Sequence, residues 1–282
     1  MTDLAERVEA TLGRRPVRLV PLQGGSTVQV MRADFAGGDS VLVKHGAGHL
    51  AIERAMLDDL ARLSDLPLPA VLHGEDDLLL LEFLPHEPGP PGAEAQRHAA
   101  DLMAAFHAVP RNRFGYPYDT VIGQLPQPNP QSDEWVPFFR DHRLLHMTIE
   151  GHREGTVTTA LRHRLEALAA RIDHYIDEPP HPSLLHGDLW TGNVLHRGGR
   201  IVGLIDPAIH HGHPEMDLAY PTLFGTFDAA FYDRYRELAP LAPDFFELRR
   251  DLYNIYPLLV HVRYWDASYA RPIEATLSRL GV

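Results

Sequence analysis

The sequence predicts an α+β protein in two lobes. A small N-terminal lobe, residues 1–84, is built on an antiparallel β-sheet with one helix, and a larger, mostly helical C-terminal lobe fills residues 85–282. Three observations carry this expectation. Short β-rich runs separated by glycine turns occupy the first part of the chain. A proline- and glycine-rich segment, Pro85 to Gly92, then interrupts the pattern. After it, apolar residues recur at helical spacing over longer stretches.

Leu4 to Leu12 reads as a short amphipathic helix opened by Thr2 or Asp3, either of which can accept first-turn N–H groups. Val17 to Leu22 is strand-like; Gln23-Gly24-Gly25-Ser26 breaks it, and Thr27 to Phe35 resumes a β-rich run. The turn Gly37-Gly38-Asp39 precedes another strand, Ser40 to Lys44, whose alternation puts Leu42 and Lys44 on one face. Ile52, Met56, Leu60 and Leu63 predict a helix from about His49 to Ser64. An apolar strand, Leu78 to Leu84, closes at Pro85. Beyond the break, Ala99, Leu102, Met103 and Phe106 form one helical stripe, and Leu161, Leu165, Leu168 and Ile172 form another. Residues 245–265 make a third helix, rich in aromatics.

Composition removes several function classes. With 44% hydrophobic and 23% charged residues in 282, the chain is an ordinary globular protein. A net charge of −12 argues against nucleic acid, whose phosphates demand clustered Lys and Arg. No apolar run approaches the roughly 18 residues of a membrane span. The absence of cysteine excludes disulfides, thiolate metal sites and thiol nucleophiles. The segment Met1 to Arg7 lacks the basic-then-apolar pattern of a secretion signal, so a cytoplasmic location is expected. His210, His211 and His213 form the one tight histidine group, but no spaced histidine pair completes a four-ligand zinc set.

The chemistry concentrates in His186-Gly187-Asp188-Leu189-Trp190-Thr191-Gly192-Asn193, with Asp206 thirteen residues after Asn193. A carboxylate, an amide and a second carboxylate at this spacing match the set used in phosphoryl transfer of the protein-kinase type. In that reading Asp188 meets the acceptor hydroxyl, and Asn193 and Asp206 hold Mg²⁺ against ATP. Val194-Leu195 and Ile201 to Ile205 are apolar runs around the turn signal Arg197-Gly198-Gly199-Arg200, so a hairpin should fold Asp206 back toward Asn193. Mg²⁺ favours such a pair of hard oxygen donors, taking its other ligands from phosphates and water. A structural hairpin with incidental acids is the plainer alternative, and the spacing outweighs it.

Other residues fit around this motif. Gly24-Gly25-Ser26 can bring backbone N–H groups close to phosphate oxygens, though an ordinary hairpin turn has the same composition. Lys44 ends a strand where kinases carry the Lys that contacts the α- and β-phosphates. Glu53, in the first turns of the next helix, is its natural partner, with an exposed helix acid as the alternative. Glu82-Phe83-Leu84 closes the last strand, and a hinge at Glu82 and Leu84 would present backbone groups to adenine. Asp217 either faces the substrate or braces the catalytic loop through hydrogen bonds, and bracing is favoured.

On these residues the chain resembles the fructosamine kinase (ketosamine-3-kinase) family, within the aminoglycoside-phosphotransferase and protein-kinase-like fold. The resemblance runs over nearly the whole chain and is most specific in Leu184 to Val194 and Ile205 to Ala219. Phe114-Gly115, Ile122-Gly123, Gln127-Pro128-Asn129, Glu134-Trp135 and Leu252 to His261 add to it. It implies ATP- and Mg²⁺-dependent phosphorylation of the 3-hydroxyl of a ketosamine, a fructosamine or ribulosamine adduct on a small molecule or a glycated protein. The unstable 3-phosphate then leaves and the amine is regenerated. By position, it makes Asp188 the catalytic base, Asn193 and Asp206 magnesium ligands, Lys44 and Glu53 the phosphate-orienting pair, and Trp190 a wall of the sugar site. Two segments depart from the pattern: Ser26 stands where some members carry Cys, and His261 to Asp266 lacks the expected Asn-His-type ending. The alternative is another small-molecule kinase of the same fold, acting on an aminoglycoside or a choline-like alcohol. A nucleotide-binding module without catalysis is disfavoured, because every catalytic position is filled.

Overall fold

The computed structural model describes residues 3–22 and 28–282. Its first helix, α1 (Leu4–Leu12), starts where the Asp3 carboxylate accepts the Ala5 N–H and stops at Gly13, whose φ of 71° ends the helical turn. Then follow β1 (Arg18–Pro21), β2 (Gln29–Asp34), β3 (Ser40–His45), α2 (Leu50–Leu63), β4 (Val71–Gly74) and β5 (Leu78–Glu82). The five strands form one sheet in the order β1-β2-β3-β5-β4, antiparallel at every pairing. Gly24, Gly25 and Ser26 lie outside the described residues.

Alternation along β5 explains the sheet's burial. Leu78 and Leu80 join Val8, Ala33, Val41 and Val43 on one face, under α1. Leu79 and Leu81 join Leu50 and Leu57 on the other, under α2. A strand covered on both faces reads as an unbroken apolar run, as this one does. The expected single helix across the sheet is α2, and α1 covers the opposite face. β4 has no counterpart in the sequence reading. It is four residues long, lacks a fully buried side chain and bulges against β5 between Val71 and His73, so it carries no period-two signal.

After the Pro85–Gly92 break come α3 (Ala93–His107), β6 (Thr120–Ile122), β7 (Leu125–Gln127), α4 (Trp135–Phe139), α5 (His146–Arg153), α6 (Thr159–Ala169), β8 (Ser183–Leu185), β9 (Val194–Arg197), β10 (Arg200–Leu204), β11 (His210–Gly212), α7 (Glu215–Ala219), α8 (Ala229–Leu238), α9 (Arg250–Tyr264) and α10 (Ala270–Arg279). A π-helical turn, Arg140–Leu145, joins α4 to α5, and another, Phe245–Arg249, leads into α9. Among the described residues these strands pair as β6–β7, β9–β10 and β8–β11. The stripes at Ala99, Met103 and Phe106 and at Leu161, Leu165 and Leu168 are buried in one large core. Met56 and Leu60 of α2 belong to that same core, so α2 packs on the sheet and on the helical lobe at once. Among the described residues no helix is long and apolar enough to cross a membrane.

The three clustered histidines serve packing. β11 pairs with β8, His210 opposite Leu185, which takes His210 to full burial. His213 stands beside the buried Arg249 guanidinium and the Glu215 carboxylate. Burial, then Arg249, lowers the His213 imidazole to about 3. The unfolded imidazole protonates near pH 6.5, whereas the folded one stays neutral far below it, so acid favours the unfolded chain. Stability should therefore be complete above about pH 6.5 and fall by up to ~1.4 kcal/mol per pH unit below it from this residue alone. Urea unfolding at pH 7.5 and 5.5 should show a smaller pH difference in His213→Gln than in the parent protein.

Candidate active site

The β9–β10 hairpin sets the geometry of the site. Gly198 and Gly199 both have positive φ (55° and 74°), the requirement of a two-residue turn that matches strand twist. The register places Leu204 opposite Val194, and the Ile205 N–H then donates to the Asn193 carbonyl at 3.1 Å. Asp206 is thereby delivered beside Asn193, as the apolar runs and the Gly-Gly turn anticipate.

Asp188 and Asn193 are tied directly. Asn193 Nδ2 donates to the Asp188 carbonyl and to Asp188 Oδ2, each at 2.9 Å. With its nitrogen so committed, Asn193 has its amide oxygen left to offer a cation. The Tyr220 hydroxyl donates to the Asp188 carboxylate as well. Burial pushes the Asp188 carboxyl up to about 7 against the hydrogen bond from Tyr220, and the charge of Asp206 adds to the rise. No sequence signal marked Tyr220; it reaches Asp188 because α7 and the short turn after it lie across the loop.

Lys44 joins the two lobes. Its Nζ donates to Glu53 Oε1 at 2.6 Å and to Asp206 Oδ1 at 2.5 Å, bonding α2 and the post-hairpin turn to one ammonium. The Lys44 side chain is 7% exposed, whereas Asp206 keeps 44% of its side chain in solvent. Burial alone would lower the Lys44 ammonium, but the Asp206 and Glu53 carboxylates together hold it above its ordinary value. Lys44 and Glu53 are thus placed together, and so are Asp188, Asn193 and Asp206. Asn193 and Asp206 offer hard oxygens and no soft donor, a set that fits Mg²⁺.

Asp217 is 1% exposed, and its carboxylate accepts the His186 N–H at 2.7 Å and the Gly187 N–H at 2.8 Å. His107 Nε2 lies 3.3 Å away on the other side. The substrate-facing alternative for Asp217 is therefore corrected: both oxygens hold the backbone of the catalytic loop. Gly187 belongs to the same device, with φ of 83° and an Ala208 carbonyl 2.3 Å from where a Cβ would sit. Trp190 is 38% exposed, its ring packed on Gly192 and 5.6 Å from the Phe224 ring. From Phe224 the aromatic contacts continue to His261 (5.4 Å) and on to Tyr269 (4.8 Å).

At the hinge, Glu82 differs from a free adenine ligand. Its N–H donates to the Ala70 carbonyl at 2.9 Å and its Oε2 accepts the Ala70 N–H at 3.2 Å. The Leu84 side chain lies over Gly203 of β10, and the Leu84 N–H has no partner among the described residues.

Comparison with known proteins decides the family. A sequence profile described as fructosamine kinase matches residues 21–281. This chain belongs to the fructosamine kinase family. It is 32% identical over 232 residues to a probable ketoamine kinase of Synechocystis, covering 79% of this chain and 75% of that one. The crystal structure assigned to a fructosamine-3-kinase of Thermobifida fusca superposes with a TM-score of 0.87 at 32% identity, covering 98% of this chain and 97% of that one. An aminoglycoside phosphotransferase solved with ADP and hygromycin B shares the fold at 18% identity, with a TM-score of 0.68 and 98% of both chains covered. The fold is protein-kinase-like and the protein is a phosphotransferase, as the sequence predicts.

The brace on the catalytic loop makes a direct prediction. Asp217→Ala leaves one buried and one partly buried N–H without acceptors and should cost roughly 3 kcal/mol in urea unfolding. Unchanged stability with only a raised KM for the acceptor would instead restore the substrate-facing role.

Proposed function

We propose that this fructosamine kinase family member is an ATP- and Mg²⁺-dependent kinase of ketosamines. The acceptor is the 3-hydroxyl of a fructosamine or ribulosamine adduct. The observation that carries this reading is the convergence of Asp188, Asn193 and Asp206 on one side of Lys44. The acceptor oxygen bonds to the γ-phosphorus as the bond to the bridging β,γ-oxygen breaks, releasing ADP. Asp188 orients the hydroxyl and takes its proton late, because the transition state is loose. Asn193 and Asp206 would hold Mg²⁺, whose charge offsets that of the β,γ-oxygens. Lys44, steadied by Glu53, would face the α- and β-phosphates. The Leu84 N–H and the neighbouring hinge backbone would meet adenine, and Gly24, Gly25 and Ser26 would approach the phosphates. Trp190 would wall the sugar site, since an exposed indole one residue beyond Leu189 offers a flat apolar face to a sugar ring. The 3-phosphate product is unstable and leaves, and the free amine is regenerated. The −12 charge and the family's small-molecule chemistry favour a soluble adduct or glycated protein over nucleic acid or membrane as acceptor, in a cytoplasmic setting.

Asp188→Asn keeps the shape of the loop and removes the base, and should lower kcat about 10³-fold while ATP binding is largely spared. Asp206→Ala should instead weaken Mg-ATP binding. ADP release measured with fructosyl-lysine, ribulosyl-lysine, kanamycin and choline, with phosphorus NMR of the product, tests the acceptor. Turnover of kanamycin or choline in preference to the ketosamines would move the assignment to another small-molecule kinase of this fold.

A further inference from the structure

Asp206 is the one non-glycine residue with positive φ among the described residues, at 54°. Side chains rarely hold that conformation unless their surroundings impose it. The chain just beyond Asp206 is pinned on two sides. The Ala208 N–H donates to the His186 carbonyl at 2.7 Å. The Ala208 carbonyl accepts Gln127 Nε2 at 3.0 Å, and the Ile209 carbonyl accepts the Thr120 hydroxyl at 3.1 Å.

Thr120 and Gln127 face each other across the β6–β7 hairpin and are 1% and 0% exposed. Gln127 Nε2 also donates to Thr120 Oγ1 at 2.8 Å, and Gln127 Oε1 accepts the Tyr256 hydroxyl at 2.6 Å. Asn129 Nδ2 donates to the same Thr120 oxygen at 2.8 Å. The amide and the hydroxyl are therefore fully used, and a buried polar network this complete fixes one arrangement. At its turn, the hairpin sets the Gln124 amide oxygen 3.1 Å from where a Cβ on Gly48 would stand, just ahead of α2 and Glu53. One hairpin thus touches the segment leading to Glu53 and the segment leaving Asp206.

We propose that Thr120 and Gln127 are positioning residues for Asp206: the β6–β7 hairpin clamps the Ala208 and Ile209 carbonyls and so keeps the Asp206 carboxylate turned toward Asn193 and Lys44. This rests on the reading of Asp206 as a cation ligand given above. Groups that orient a ligand typically carry about ten- to hundredfold in metal affinity.

The test uses Mn²⁺ in place of Mg²⁺, its binding followed by electron paramagnetic resonance with ADP present. Thr120→Val and Gln127→Leu should each weaken Mn²⁺ binding about tenfold and raise the Mg²⁺ concentration for half-maximal turnover in proportion, with KM for the acceptor unchanged. Thr120→Ser, which keeps the hydroxyl, should match the parent protein. Val121→Ala loosens the same hairpin outside the network and should lower Tm without moving Mn²⁺ affinity. Unchanged Mn²⁺ affinity in both clamp variants, or equal weakening in Val121→Ala, would overturn the clamp. Asp206→Asn separates the two readings. If it leaves Mn²⁺ affinity intact, the ligand assignment fails; if it abolishes binding while the clamp variants bind normally, only the clamp fails. Should Gln127→Leu not fold, Thr120→Val carries the test alone, since it removes one oxygen at nearly constant shape.

Discussion

A single buried ammonium, that of Lys44, constrains the rest of the site. It is held between two carboxylates far apart in sequence, Glu53 on α2 and Asp206 beyond the β9–β10 hairpin. A charge so little exposed is tolerated only while it is paired, because removing one partner leaves an uncompensated ion at a cost of several kcal/mol. The position of α2 against the sheet and the turn at Asp206 are therefore not independent. With two carboxylates on one ammonium the cluster keeps a surplus negative charge, and Asp188 adds another carboxylate close by. Burial, joined by the charge of Asp206, raises Asp188, and the surplus suits the arrival of a divalent cation, whose field acts in the opposite direction.

The loop is held largely through its backbone groups. His186 and Gly187 give their N–H groups to Asp217, and the His186 carbonyl takes the Ala208 N–H. The Asp188 carboxylate is left to accept from Asn193 and Tyr220. Preorganisation of this kind costs nothing at the moment of reaction, because the orienting dipoles are fixed when the chain folds. The left-handed conformation of Gly187 belongs to the same economy: a side chain there would collide with the Ala208 carbonyl that the β6–β7 hairpin also grips.

Legibility followed the reach of the physical signal. Short-range patterns were plain: the Gly198-Gly199 turn, the α2 stripe and the alternation around Lys44 each depend on neighbours within a few residues. The Asp188, Asn193 and Asp206 constellation was legible because its spacing is itself local and the hairpin between them is self-contained. Tyr220 was not, nor was the role of Gln127, which the sequence marks only as part of a family-like segment, since both reach the site through tertiary contacts that no periodicity encodes. β4 was missed because it lies at the edge of the sheet without a buried face. The two readings of Asp217 were separated only by burial: an acid in a polar-looking sequence can turn either way, and here it turned inward to two N–H groups.

Two sides of the site are built from different physics. Around Lys44 and Asp206, charges and hard oxygens dominate, and small displacements change energies steeply because the pairs are close and partly dry. Beyond Asp188 the surface turns aromatic, from Trp190 through Phe224 and His261 to Tyr269. Rings recognise flat faces and tolerate variation in what they stack on, so they impose shape more than charge. His261 belongs to that side, at the end of α9, apart from the charged cluster.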